Sequence, residues 1–134
     1  MENIKVLIAD DEKEVLEIMA KSVAKEGYAV ITASDGQEAW EKIQSENPDI
    51  ILLDVTMPRM DGLTVLKNLR EHPSAEKWQP VVIISALGEL KDIEAGFAFE
   101  ADHYLAKPCQ IGEVLKSIRL MQSLIPLRKS RQET

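Results

Sequence analysis

The stretch "DIILLDVTMPRMDG", residues 49–62, decides how this chain is read. Ile50, Ile51, Leu52 and Leu53 make an unbroken apolar run, the pattern of a strand covered on both faces. The run stops at Asp54, and Pro58 follows soon after. A carboxylate at the end of a buried strand is costly to hold unless something pairs with it. The question is what the fold brings to meet Asp54.

Apolar and amphipathic segments alternate on both sides of this stretch. "IKVLIA" (4–9) reads as a strand. "DEKEVLEIMAKSVAKEG" (11–27) reads as a helix with Val15, Leu16, Met19 and Val23 on one face and Gly27 as its stop. "YAVITA" (28–33) is a second strand, and "SDGQEAWEKIQSENP" (34–48) a second helix burying Ala39, Trp40 and Ile43. Beyond Asp54 come "LTVLKNLREH" (63–72) as a third helix and "WQPVVIIS" (78–85) as the fourth strand's segment. "LKDIEAGFAFE" (90–100) reads as a fourth helix and "HYLA" (103–106) as a short fifth strand. "IGEVLKSIRLMQSLI" (111–125) closes with a fifth helix burying Val114, Leu115, Ile118 and Met121.

Strands and helices in strict alternation specify an α/β fold with a doubly wound parallel sheet. Strands one, three and four are the most continuously apolar, as central strands must be. Strand two alternates more and strand five is short, which suits edges. The five-stranded order 2-1-3-4-5 follows, with its topological switch point between strands one and three, where ligands bind outside the C-terminal strand ends.

Bulk properties narrow the functional classes. At 134 residues the chain is expected to form one domain, and 45% hydrophobic residues are enough for a core. A net charge of −7 argues against direct nucleic acid binding. No apolar run is long enough to span a membrane, and no signal peptide is visible, so a cytoplasmic location is expected. The single Cys109 cannot form an internal disulfide, and His72 and His103 stand alone.

Strand one ends in Asp10 and Asp11, strand three in Asp54 and strand four in Ser85, and strand five runs into Lys107. In this sheet order they gather at one edge. Taken singly, Asp10 or Asp11 is an ordinary helix N-cap and Lys107 half of a surface ion pair. Taken together, they answer the question about Asp54. Two like charges at ~4 Å repel by roughly 4 kcal/mol at an effective dielectric of 20, and one lysine cannot offset three carboxylates. A divalent cation can, and an oxygen-only donor set suits Mg²⁺. A carboxylate beside Mg²⁺, a lysine and a hydroxyl is equipped to act as a phosphoryl acceptor.

These residues resemble the receiver domain of two-component response regulators. The resemblance covers about residues 4 to 121 through "LIADDEKEV", "IILLDVTMPRMDG", "VVIISA" and "HYLAKP". It implies the flavodoxin-like (βα)5 receiver fold and a phosphorylation-dependent signalling switch rather than an enzyme. It implies Asp54 as phospho-acceptor. Asp11, Asp54 and the Thr56 carbonyl would ligate Mg²⁺, with Asp10 acting through water. Lys107 would pair with the phosphoryl group, and Ser85 and Tyr104 would form the switch pair. Pro108 matches a proline preceded by a cis peptide, and Gly62 the turn into the third helix. The donor would be a sensor histidine kinase or phosphotransfer protein. The face made by the fourth helix, fifth strand and fifth helix would control a partner, an output domain or a phosphorylation-dependent homodimer. On this basis residues 1–121 are the receiver domain and 122–134 a C-terminal tail or linker stub.

Two positions depart from the family pattern. Glu100 stands where glycine is usual, which predicts a differently built end to the fourth helix, and Cys109 replaces a common phenylalanine. The rival readings are weaker. An aspartyl-phosphate phosphatase of the haloacid dehalogenase type needs a D-x-D motif, and Thr56 occupies the second acidic position. A flavodoxin-like cofactor binder needs a phosphate-cradling loop, and "DDEKE" (10–14) would repel phosphate.

Overall fold

A computed structural model of the chain describes residues 4–72, 77–86, 94 and 97–133, with the backbone alone from residue 126 onward. The strands are β1 (Lys5–Ala9), β2 (Ala29–Ala33), β3 (Ile50–Asp54), β4 (Val81–Ala86) and β5 (His103–Lys107). The helices are α1 (Lys13–Lys25), α2 (Gly36–Glu46), α3 (Gly62–Glu71) and a C-terminal helix (Ile111–Glu133). Most of the expected fourth helix lies outside the described residues. The C-terminal helix continues through Pro126 to Glu133, past residue 125 where the apolar pattern ends.

All strand pairs are parallel, and the order is β2-β1-β3-β4-β5. The expected order and fold class are therefore observed. Burial follows the same logic. Every residue of β3 is buried, as are nearly all of β1 and β4, while β2 and β5 are mostly half-buried edges. Lys42 Nζ donates to the Thr32 carbonyl at 2.6 Å, so a charge blunts the open side of edge strand β2.

Side chains alternate across a strand, and this sorts the core into two layers. Val6, Ile8, Ile50, Leu52, Val82 and Ile84 pack with Leu16, Met19 and Val23 of α1 and Val114, Ile118 and Met121 of the C-terminal helix. Leu7, Ala9, Ile51, Leu53, Val81 and Ile83 pack with Ala39 and Ile43 of α2 and Val65, Leu66 and Leu69 of α3. The helix ends use local chemistry. Asp35 and Asp61 accept hydrogen bonds from Glu38 and Thr64 backbone N–H, both at 2.8 Å, as N-caps. Asn47 turns left-handed to close α2 ahead of Pro48.

Glu100 corrects one expectation. It adopts φ +66°, the left-handed conformation that a glycine would supply, so the approach to β5 keeps that geometry without the glycine.

Candidate functional site

The alternation that sorts the core also builds the site. Asp10 continues the phase of Val6 and Ile8, Asp54 that of Ile50 and Leu52, and Lys107 that of Leu105. All belong to the layer beneath α1 and the C-terminal helix. In the register, Ala9 faces Leu53, Asp54 faces Ile84, and Ile84 faces Leu105. The charged residues thus emerge together where the apolar ladder ends.

Asp10 and Asp54 are 1% and 4% exposed, so neither charge is a solvated surface acid. Asp11 is exposed, yet carboxylate oxygens of Asp10, Asp11 and Asp54 lie within 4.8 Å of one another. Lys107 Nζ donates to Asp54 Oδ2 at 2.7 Å and to Asp10 Oδ2 at 3.4 Å. Glu12 Oε1 stands 3.9 Å from the same ammonium, at the rim. One lysine thus faces several carboxylates, an imbalance that a divalent cation held by those oxygens would correct. The donor set fits Mg²⁺ and offers nothing to a softer metal.

The electrostatics carry the same message. Burial pushes the Asp54 carboxyl above its ordinary value, and its bond and charge interaction with Lys107 only partly offset this. Burial disfavours the Lys107 ammonium, but Asp54 and Asp10 outweigh it and raise its pKa. Asp54 Oδ1 also accepts the Thr56 N–H at 3.2 Å. No buried side-chain nitrogen or oxygen among the described residues lacks a hydrogen-bond partner.

The capping alternative fails for the first acids. The N-cap of α1 is Glu12, whose side chain makes no capping bond, and Asp10 Oδ1 instead accepts the Glu12 N–H at 2.8 Å. Ser85 is buried at the end of β4, opposite Ala106. Ser85 and Tyr104 have the opposite strand phase to Asp54, shared with Ile83, and Tyr104 packs against the α2–α3 layer. The Tyr104 hydroxyl donates to the Ala86 carbonyl at 3.4 Å. Lys107–Pro108 is a cis peptide bond.

Three features were missed from the sequence. Glu12 approaches Lys107, a position that strand phase alone does not disclose. Arg59, at φ +68°, pairs with Asp35 at 3.1 Å and ties the loop after β3 to the start of α2. Cys109 lines an apolar cleft of about 520 Å³ with Val15, Ile18, Met19, Ile111 and Val114, and Lys107 borders it. Burial pushes the Cys109 thiol up.

A family model described as the response regulator receiver domain matches residues 6–119. The alkaline phosphatase synthesis transcriptional regulatory protein PhoP of Bacillus subtilis is 39% identical over 112 residues, which are 84% of this chain and 45% of that protein. Response regulator MprA of Mycolicibacterium vanbaalenii is 37% identical over 118 residues, 88% of this chain and 50% of its own length. The chain thus spans about half the length of these relatives. Among solved structures, the receiver domain of the Francisella response regulator 1452 matches with a TM-score of 0.80 at 34% identity, covering 89% of this chain and 96% of that one. Chemotaxis response regulator CheY4 of Vibrio cholerae matches with a TM-score of 0.82 at 29% identity, covering 90% and 99%. The chain belongs to the response regulator receiver domain family.

Proposed function

We propose that this chain is a phosphorylation-dependent switch that accepts a phosphoryl group on Asp54 from a sensor histidine kinase or phosphotransfer protein. The observation that carries this reading is the 2.7 Å contact between Lys107 Nζ and Asp54 Oδ2 in an acidic cluster at the strand ends, where Asp10 and Asp54 are buried and Asp11 is exposed. In the transfer, an Asp54 carboxylate oxygen attacks phosphorus, the bond from phosphorus to the donor nitrogen breaks, and the imidazole leaves with that electron pair. Asp11, Asp54 and the Thr56 carbonyl would hold Mg²⁺, with Asp10 acting through water. Bound Mg²⁺ supplies positive charge against the phosphoryl oxygens. Lys107 supplies the second cation, and Ser85 is assigned to donate a hydrogen bond to a phosphoryl oxygen.

The output follows from the switch pair. Phosphorylation adds charge and acceptor oxygens at Asp54. Ser85 is drawn toward them, and Tyr104 turns into the space released. The face assigned to the expected fourth helix, β5 and the C-terminal helix changes, and a partner, output domain or second copy reads it. In this scheme residues 1–121 are the receiver unit, and residues 122–134 are a C-terminal tail or linker stub. The setting is cytoplasmic. No helix of the described residues is long and apolar enough to cross a membrane.

The metal assignment has its own test. Asp11 is exposed, so Asp11→Ala should leave the fold intact while weakening Mg²⁺ binding by about tenfold or more. Titration of Mg²⁺ into both proteins, followed by NMR, measures this. Equal affinity in the two proteins would remove Asp11 from the site.

A further inference from the structure

At the opposite end of the sheet from the acids, Arg70 joins separate segments of chain. It lies in the last turn of α3. Its Nε and Nη2 donate to the Glu100 carbonyl at 3.2 and 3.0 Å, and its Nη1 to the Gln79 carbonyl at 2.9 Å. Nη2 also pairs with Asp102 Oδ2 at 2.8 Å. That same oxygen accepts the Val81 N–H at 2.8 Å, and the Asp102 N–H donates to the Val81 carbonyl at 2.9 Å. The Arg70 and Asp102 side chains are only 16% and 19% exposed. One rigid guanidinium fork therefore ties the end of α3 to the starts of β4 and β5. Lys67, one turn earlier on α3, lies 5.9 Å from the Phe99 ring centroid and holds the same segment from a second point.

The segment held this way is strained. Glu100 sits at φ +66°, where a side chain crowds its own backbone. Strain of this kind persists only where the surroundings over-determine it. Both Arg70 bonds to the Glu100 carbonyl act at that residue. Directly beyond it runs β5, which carries Tyr104 and Lys107.

We propose that Arg70 is a latch on a strained hinge at Glu100, fixing the lead-in to β5 and so opposing the movement that a phosphoryl group at Asp54 demands. This rests on the reading of Asp54 as acceptor and of Tyr104 as the responding residue. A phosphoryl group shifts the equilibrium only through its preference for the moved state. Work spent opening the latch is therefore subtracted from phosphoryl affinity. Loosening the latch raises that affinity. Relieving the strain while keeping the guanidinium deepens the latched state and lowers it.

The test titrates beryllofluoride, a phosphoryl mimic, with Mg²⁺ into the full chain, with NMR reporting on the Tyr104 and Lys107 amides. Arg70→Met should bind the mimic about fivefold more tightly than wild type while melting at a lower temperature. Glu100→Gly should bind it more weakly by a similar factor while melting at a higher temperature. A purely structural staple would move the melting temperatures and leave mimic affinity alone. Mimic binding by wild type with unchanged affinity in both variants overturns the latch and leaves the acceptor reading standing. No mimic binding by wild type overturns both. If Arg70→Met does not fold, Glu100→Gly decides alone: affinity equal to or tighter than wild type overturns the proposal.

Discussion

A Gly62→Ala variant is expected to lose about 3 kcal/mol of stability and about 10 °C in melting temperature. Gly62 is the first residue of α3, behind the Asp61 cap, and its N–H donates to the Val55 carbonyl at 2.9 Å. A Cβ there would collide with the backbone carbonyl of Asp54 and meet Val55 Cα at 3.1 Å. The obstacle is backbone at the end of a fully buried strand, so no side-chain rotation relieves it. Either α3 moves outward or the end of β3 gives way. The second response displaces the Asp54 carboxylate, and a misplacement of ~1 Å is worth about a hundredfold in rate. The variant should therefore lose both stability and phosphoryl uptake. Thermal unfolding checks the first part, and a melting temperature within about 2 °C of wild type would show that the close approach is not tight.

Replacing Asp54 by asparagine should stabilise the chain in the absence of metal, and the gain should depend on pH. Burial raises the Asp54 carboxyl above its ordinary value of 3.8. Between that value and the raised folded one, the folded chain keeps a proton that the unfolded chain has released. Stability therefore falls as pH rises through this window and levels off above the folded pKa. Asp54→Asn lacks this decline; it also loses the Lys107–Asp54 ion pair, but Asp10 stays beside the ammonium, so the variant should melt above wild type at neutral pH. Lys107 acts at the other end of the scale. Its raised pKa contributes stability that is complete below 10.5 and lost as pH rises through the folded value. Mg²⁺ should narrow the gap between the two proteins, because a cation held by the folded wild type and not by the unfolded chain stabilises it. Melting curves in chelator from about pH 3 to about pH 8 measure the effect. Parallel curves for the two proteins would mean that burial of Asp54 carries no penalty.

Much of this architecture is legible from polarity patterns alone. The unbroken run Ile50–Leu53 identifies a central strand because only a strand covered on both faces can be apolar at every position. The alternation in strand two marks an edge for the converse reason, whereas strand five, expected to be short, is as long as β1, β2 and β3 and shows its edge position by being half-buried. Once the sheet order is known, Asp10, Asp54 and Lys107 converge because strand ends in a parallel sheet lie side by side. Their common face was available too, since residues of one phase in a strand share a face.

Other features were not legible because they depend on side-chain paths or on backbone held from a distance. Glu12 reaches Lys107 by a rotamer choice at the mouth of the site. Arg59 meets Asp35 only because the loop after β3 lies across the start of α2. Glu100 keeps a left-handed conformation through bonds from Arg70, thirty residues away in the chain. Its residue type predicted otherwise, because propensity reports local cost and not the distant groups that offset it. The helical continuation to Glu133 was hidden by Pro126, which ordinarily marks a boundary.

Everything proposed for the switch depends on Asp54 accepting the phosphoryl group. The direct measurement is intact mass after incubation with acetyl phosphate and Mg²⁺, in wild type and Asp54→Asn. Wild type should gain the mass of one phosphoryl group, labile as an acyl phosphate is, and Asp54→Asn should gain none. The same labile adduct on Asp54→Asn, or no adduct on folded wild type, would contradict the account.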